Sequence, residues 1–113
     1  MAIHNEAEAI KARLAGVPGV KSTTRGWPRA DALQPCVAVT KAADNPVEFR
    51  DDREYAAELE YYIRIFAERA SLVDEIAEGV DAAMEDMGYL RTFAYDDDTG
   101  EVRIAAMRYR KYV

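Results

Sequence analysis

Four groups of residues have side chains that could do chemistry. The acidic run Asp96-Asp97-Asp98-Thr99-Gly100-Glu101 suggests a calcium loop. An EF-hand places ligands at positions one, three and five, then glycine, and glutamate at twelve. Counted from Asp96, position five is Gly100 and position twelve is Met107, so a solvated turn is the simpler reading. Glu58 and Glu60, with Asp51 upstream, suggest carboxylates gathered on a divalent ion for nucleic-acid cleavage. Tyr62 stands where such sites carry a lysine, and no lysine occurs between Lys41 and Lys111. His4 is the only histidine and Cys36 the only cysteine. Zinc needs several such ligands at sensible spacing, and a nucleophile needs a base beside it. Cys36 lies in an apolar run and reads as a reduced, buried thiol. No catalytic residue, metal ligand or cofactor site is expected, and the chain does not read as an enzyme.

These residues sit on a chain of 113 residues, the size of one domain, and half of them are hydrophobic. The formal net charge is −6. A free nucleic-acid binder carries a basic face, so sequence-specific DNA or RNA binding is disfavoured. No signal peptide opens the sequence and no apolar run approaches the ~20 residues of a membrane span. A soluble protein made in a cytoplasm is expected.

The best-defined element is a helix from Ser71 to Met87. Leu72, Val73, Ile76, Val80, Ala83, Met84 and Met87 fall within an arc of roughly 120°. Asp74, Glu75, Glu78, Asp81, Glu85 and Asp86 take the opposite side. Ser71 is the expected cap, and Gly88 the expected stop in the left-handed conformation. Gly79 costs about 1 kcal/mol against alanine inside a helix, so close helix–sheet approach is its expected reason. A first helix is expected over Asn5 to Ala15, capped by Asn5 and ended by Gly16 and Pro18.

The rest reads as sheet. Val17 to Thr24 and Pro35 to Thr40 are short strands. From Tyr55 or Ala57 a strand alternates strictly: Leu59, Tyr61, Ile63, Ile65 and Ala67 on one face, Glu58, Glu60, Tyr62, Arg64, Phe66 and Glu68 on the other. Tyr62 and Phe66 among those charges suggest that the second face is also covered, by another subunit. Tyr89 to Tyr95 and Val102 to Tyr112 form a closing hairpin, ending in the basic run Arg108 to Tyr112. Lys41 to Glu54 reads as a long, mobile loop. The fold class is therefore α+β: a mainly antiparallel sheet of four to five strands with two helices packed on it, in the order α-β-β-β-α-β-β. Trp27, the only tryptophan, is either a lid on the edge of the core or an exposed anchor for a partner.

The segments Arg53-Glu54-Tyr55, Tyr61-Tyr62-Ile63-Arg64-Ile65-Phe66-Ala67, Ser71-Leu72-Val73-Asp74-Glu75-Ile76-Ala77 and Ala106-Met107-Arg108-Tyr109-Arg110, with the turn Asp96 to Gly100, carry a resemblance. The chain resembles small phage and prophage tail completion or tail terminator proteins of the head–tail joint, similar to the lambda-type terminator. The second half matches well and the first half in element order alone. The resemblance implies a structural protein of the virion tail, made in the bacterial cytoplasm. It implies a self-assembled ring, usually a hexamer, that ends tube polymerisation and contacts the tail tube protein and the head connector. DNA would be cargo passing the lumen, and no membrane would be involved. Subunit-interface candidates are Trp27, Arg29, Arg50, Arg53, Tyr62 and Phe66. Competing readings are another connector or minor tail component, a small metal-dependent nuclease, and a generic binding domain.

Overall fold

The computed structural model describes residues 3–50, 53–98 and 102–113, and for 47–50, 53–55, 97 and 98 the backbone alone. Its elements are α1 (Ala7–Leu14), β1 (Ser22–Arg25), β2 (Cys36–Arg50), β3 (Arg53–Ala67), α2 (Ala70–Asp86), β4 (Leu90–Asp98) and β5 (Arg103–Tyr112). The order is the expected α-β-β-β-α-β-β. The sheet has five strands in the order β1-β2-β3-β5-β4. β1 runs parallel to β2, and every other pair is antiparallel. β5 thus lies between β3 and β4, and α2 is the crossover that carries the chain past it.

Both helices cover one face of the sheet. The alternation of β3 decides which one: Leu59, Tyr61, Ile63, Ile65 and Ala67 are all fully buried beneath the helices. Val73, Ile76, Val80, Ala83 and Met84 of α2 and Ala7, Ile10 and Leu14 of α1 close the core over them. Burying one such aliphatic side chain contributes about 1.5–3 kcal/mol. Cys36 is a buried free thiol, as its apolar run suggests.

Several local expectations are corrected. The segment from Lys41 to Glu54 is not a long loop. β2 continues to Arg50 and returns as β3 from Arg53, with Asp51 and Asp52 outside the described residues. Register shifts between Lys41 and Ala43, and again after Pro46, interrupt the two-residue period, which is why the sequence does not look like a strand. Pro46 lies at the second shift, where a proline without an N–H is tolerated in a sheet. The Ala57–Val113 backbone pair is the last link to the body of the sheet. Beyond it the hairpin runs on as a ribbon, and the molecule is 52 Å long but 24 Å across.

Neither helix uses its expected cap. α2 begins at Ala70 after an extended Arg69, whose carbonyl accepts from Leu72 and Val73 N–H. Only Glu68 and Arg69 separate β3 from α2, so the exit from the strand fixes the start and Ser71 falls inside the first turn. α1 begins after Glu6, not Asn5. The Glu6 N–H donates to the Tyr61 hydroxyl at 3.0 Å, so a tertiary contact satisfies a donor that a cap would have taken. The first strand is also shorter than expected, Ser22–Arg25.

Gly88 ends α2 at φ +89, as expected. Gly79 does mark a close approach, but to the α1–β1 connection rather than to the sheet. A Cβ there would lie 2.6 Å from Val17 Cγ1.

Candidate partner-binding face

The face of the sheet away from the helices has no second layer among the described residues. Its residues follow from register, because cross-strand partners share a face. One row across the sheet is Ala38, Arg64, Ala106 and Tyr95. The next is Thr40, Tyr62, Arg108 and Phe93, and a third holds Ala43, Glu60, Arg110 and Leu90. Small residues thus floor the face while aromatic and arginine side chains stand over it. Leu90 is 64% exposed, Phe93 49%, Tyr95 42% and Tyr112 59%.

Each arginine lies over a ring. The Arg64 guanidinium is 4.8 Å from the Tyr62 ring centroid and 5.7 Å from that of Trp27. Arg108 lies 5.8 Å from Phe93 and Arg110 lies 5.6 Å from Tyr112. Phe93 and Tyr95 pack at 5.2 Å. Among the described residues, none of these three arginines is within ion-pair range of a carboxylate. Stacking on rings holds the guanidinium groups in place while leaving donors free for a partner.

The β1–β2 connection closes one end of this face. Trp27 meets Phe66 edge-on at 5.2 Å and 82°. Phe66 is only 5% exposed, in a small cluster with Cys36, Ala38 and Ile104, whereas Trp27 is 65% exposed. The two readings of Trp27 therefore coexist: one edge covers Phe66 and the rest meets solvent. A cleft of about 150 Å³ lies beside it, with Trp27, Pro28 and Arg29 on one wall and Cys36, Phe66 and Ile104 on another.

Of the six interface candidates, Trp27, Arg29, Tyr62 and Phe66 come together at this face and its rim. Phe66 lies beneath Trp27 rather than on the surface. Arg50 and Arg53 pair with each other at the far end of the β2–β3 hairpin, away from the rest. Leu90, Phe93, Tyr95, Arg108, Arg110 and Tyr112 were not among the candidates. The basic run at the C-terminus was the signal for the last three, but only the β3–β5–β4 register puts it beside Tyr62 and Arg64.

The other polar constellations point inward. Near α1, Tyr89 Oη donates to Glu6 Oε1 at 2.7 Å and Lys111 Nζ donates to the same oxygen at 3.3 Å. Tyr109 Oη donates to Asp81 Oδ1 at 2.8 Å. Burial first, and then these carboxylate acceptors, push both phenols well above the ordinary tyrosine range, so both stay neutral donors. Asp44 accepts from Lys41 Nζ at 2.8 Å and from the His4 N–H at 2.7 Å, and Lys41 also donates to the His4 carbonyl. The Lys41 hydrogen bond, helped by His4 against the cost of desolvation, holds the Asp44 carboxyl down at about 2. These groups strap the N-terminal segment to the sheet.

Glu58 and Glu60 lie on the open face, and Asp51 lies outside the described residues. Among the described residues no three histidine, cysteine or carboxylate side chains gather as a metal site. The acidic turn falls partly outside the description, from Thr99 to Glu101. No helix among the described residues is long and apolar enough to cross a membrane.

No family profile matches the chain, and no curated protein does. In fold it is similar to a chain in the solved structure of the virion of a native gene transfer agent (GTA) particle. The TM-score is 0.60 at 16% identity, over 88% of this chain and 83% of that chain. At that identity the likeness is one of fold.

Proposed function

We propose that this chain is a structural protein of a phage-like particle, which completes the tail tube and joins it to the head connector as a ring. The observation that carries this reading is the fold shared with a chain of a virion particle, over nearly the whole of both chains. It agrees with the sequence resemblance to tail completion proteins. The open face supports an assembling role. Contiguous exposed aromatic side chains with arginines among them mark protein interfaces, and here exposed rings and half-buried arginines share one face. The net charge of −6 suits a ring through which DNA passes without being held.

Disruption of the gene in a particle-producing host tests the proposal. The expected result is heads and tails that fail to join, with tails of irregular length. A tagged copy is expected to restore joined particles and to be labelled at the joint. Normal particles from the disrupted strain, or particles that lack the tagged chain, would overturn the reading.

A further inference from the structure

The two outer surfaces of the molecule carry opposite charge. The open face of the sheet presents Arg64, Arg108 and Arg110 among exposed rings, without carboxylate partners among the described residues. The solvent side of α2 presents Asp74, Glu75, Glu78 and Glu85, all exposed. None of those four is within ion-pair range of a cation among the described residues. Among the described residues, only Asp81 and Asp86 of the helix are paired, with Arg91 at 3.7 Å and Arg13 at 3.6 Å. Since α2 covers the sheet's other face, Glu75, Glu78 and Glu85 point away from the basic surface, while Asp74 lies on the flank of the helix beside β4 and β5.

We infer that the open sheet face binds the acidic side of α2 on a second copy of this chain, so that subunits stack front to back. The inference rests on the ring reading above and names the contact that builds it. Charge complementarity selects the occupant: a like copy brings carboxylates to three stacked, unpaired guanidinium groups. The spacings agree. Asp74 and Glu78 are about 6 Å apart along a helix axis. Arg64 and Arg108 are diagonal neighbours on β3 and β5, about 7–8 Å apart. Glu58 and Glu60 lie on the same open face toward the hairpin end, which confines the attraction to the side of Arg64 and Arg108. Such a contact joins two different surfaces. Each subunit therefore keeps one of each free for the next, and the series closes into a ring when the rotation permits.

Sedimentation velocity on the full chain, over a concentration series at about 50 and about 500 mM salt, tests this directly. Two double variants are compared: a front variant, Arg64→Glu with Arg108→Glu, and a back variant, Asp74→Lys with Glu78→Lys. Circular dichroism checks that each is folded, and the back variant alters only exposed helix positions. The unaltered chain is expected to associate, more weakly at high salt. Each variant is expected to raise the dissociation constant at least about tenfold. Mixing the two is expected to restore association, because each supplies the charge that the other needs. A chain that stays monomeric throughout, a back variant that associates normally, or a mixture no better than its parts would overturn the inference. Particle labelling at the head–tail joint is independent of it. A failed mixing experiment with correct labelling would move the ring contact elsewhere and leave the proposed function standing.

Discussion

Strand β5 meets both environments of the molecule within ten residues. Ala105, Met107 and Tyr109 face the helices and are buried, and Tyr109 reaches Asp81 of α2 with its hydroxyl. Arg108, Arg110 and Tyr112 alternate with them, face the open side and are stacked rather than buried. The same strand therefore supplies a folding core on one side and an adhesive surface on the other. A tyrosine on the first side is satisfied within the chain. A tyrosine on the second lends its ring to an arginine and stays exposed. What separates the faces is whether the chain itself provides the second layer.

That contrast fails or sharpens first at Ile63, which is fully buried between the helices and the centre of the sheet. Ile63→Ala is expected to cost about 2–5 kcal/mol, through lost burial and the cavity left behind. Urea denaturation would measure it. A much smaller loss would mean that the helix-covered face is less tightly packed than its burial indicates.

The buried side was legible in the sequence because both of its periods are clean. The two-residue alternation of β3 and the helical stripe of α2 each point to one face, and they meet there. The open face was only half legible. Tyr62 and Phe66 broke the expected polar pattern, and Arg108 to Tyr112 looked basic. No local period, however, shows that β5 inserts between β3 and β4 and so joins these residues. The hairpin from Lys41 was hidden for a different reason: bulges at Lys41 and Pro46 reset its alternation. The caps were misplaced because tertiary partners, Tyr61 for Glu6 and the short β3–α2 junction for Arg69, replaced side-chain capping.

Gly79 tests how tightly the covered side is closed. Gly79→Ala improves helix propensity by about 1 kcal/mol but drives a methyl group against Val17, a cost of about 1–3 kcal/mol. A net loss of about 1 kcal/mol is expected from these opposing terms. In a Val17→Ala background the clash disappears, and Gly79→Ala is expected to stabilise. If it destabilises there too, the close approach is not what requires glycine.

The strap at Asp44 is expected to appear as acid sensitivity. Its carboxyl lies at about 2 when folded, against an ordinary 3.8. The folded state therefore binds the proton less readily than the unfolded chain. Its stabilising contribution is complete above 3.8 and is lost as pH falls from 3.8 toward about 2. Comparing denaturation midpoints of the unaltered chain and Asp44→Asn across that window isolates the effect from the other carboxylates. The variant is expected to be less stable at neutral pH, with the gap closing in acid as Lys41 and His4 lose the charged partner. An unchanging gap would assign the strap to shape rather than charge.

The smallest folding effect is expected on the open face, and its size decides what the face is for. Phe93 and Tyr112 are about as large as the core side chains, so side-chain size alone would predict comparable losses on truncation. Yet each is roughly half exposed or more, at 49% and 59%, and each lies beside a guanidinium on the same surface. Phe93→Ser and Tyr112→Ser are each expected to change folding stability by no more than about 0.5 kcal/mol. The same changes are expected to weaken self-association, because they remove apolar area and the platforms that hold Arg108 and Arg110. A folding loss near that of Ile63→Ala would show that the open face is part of the core. Unchanged folding together with unchanged association would show that its aromatic rings serve neither layer.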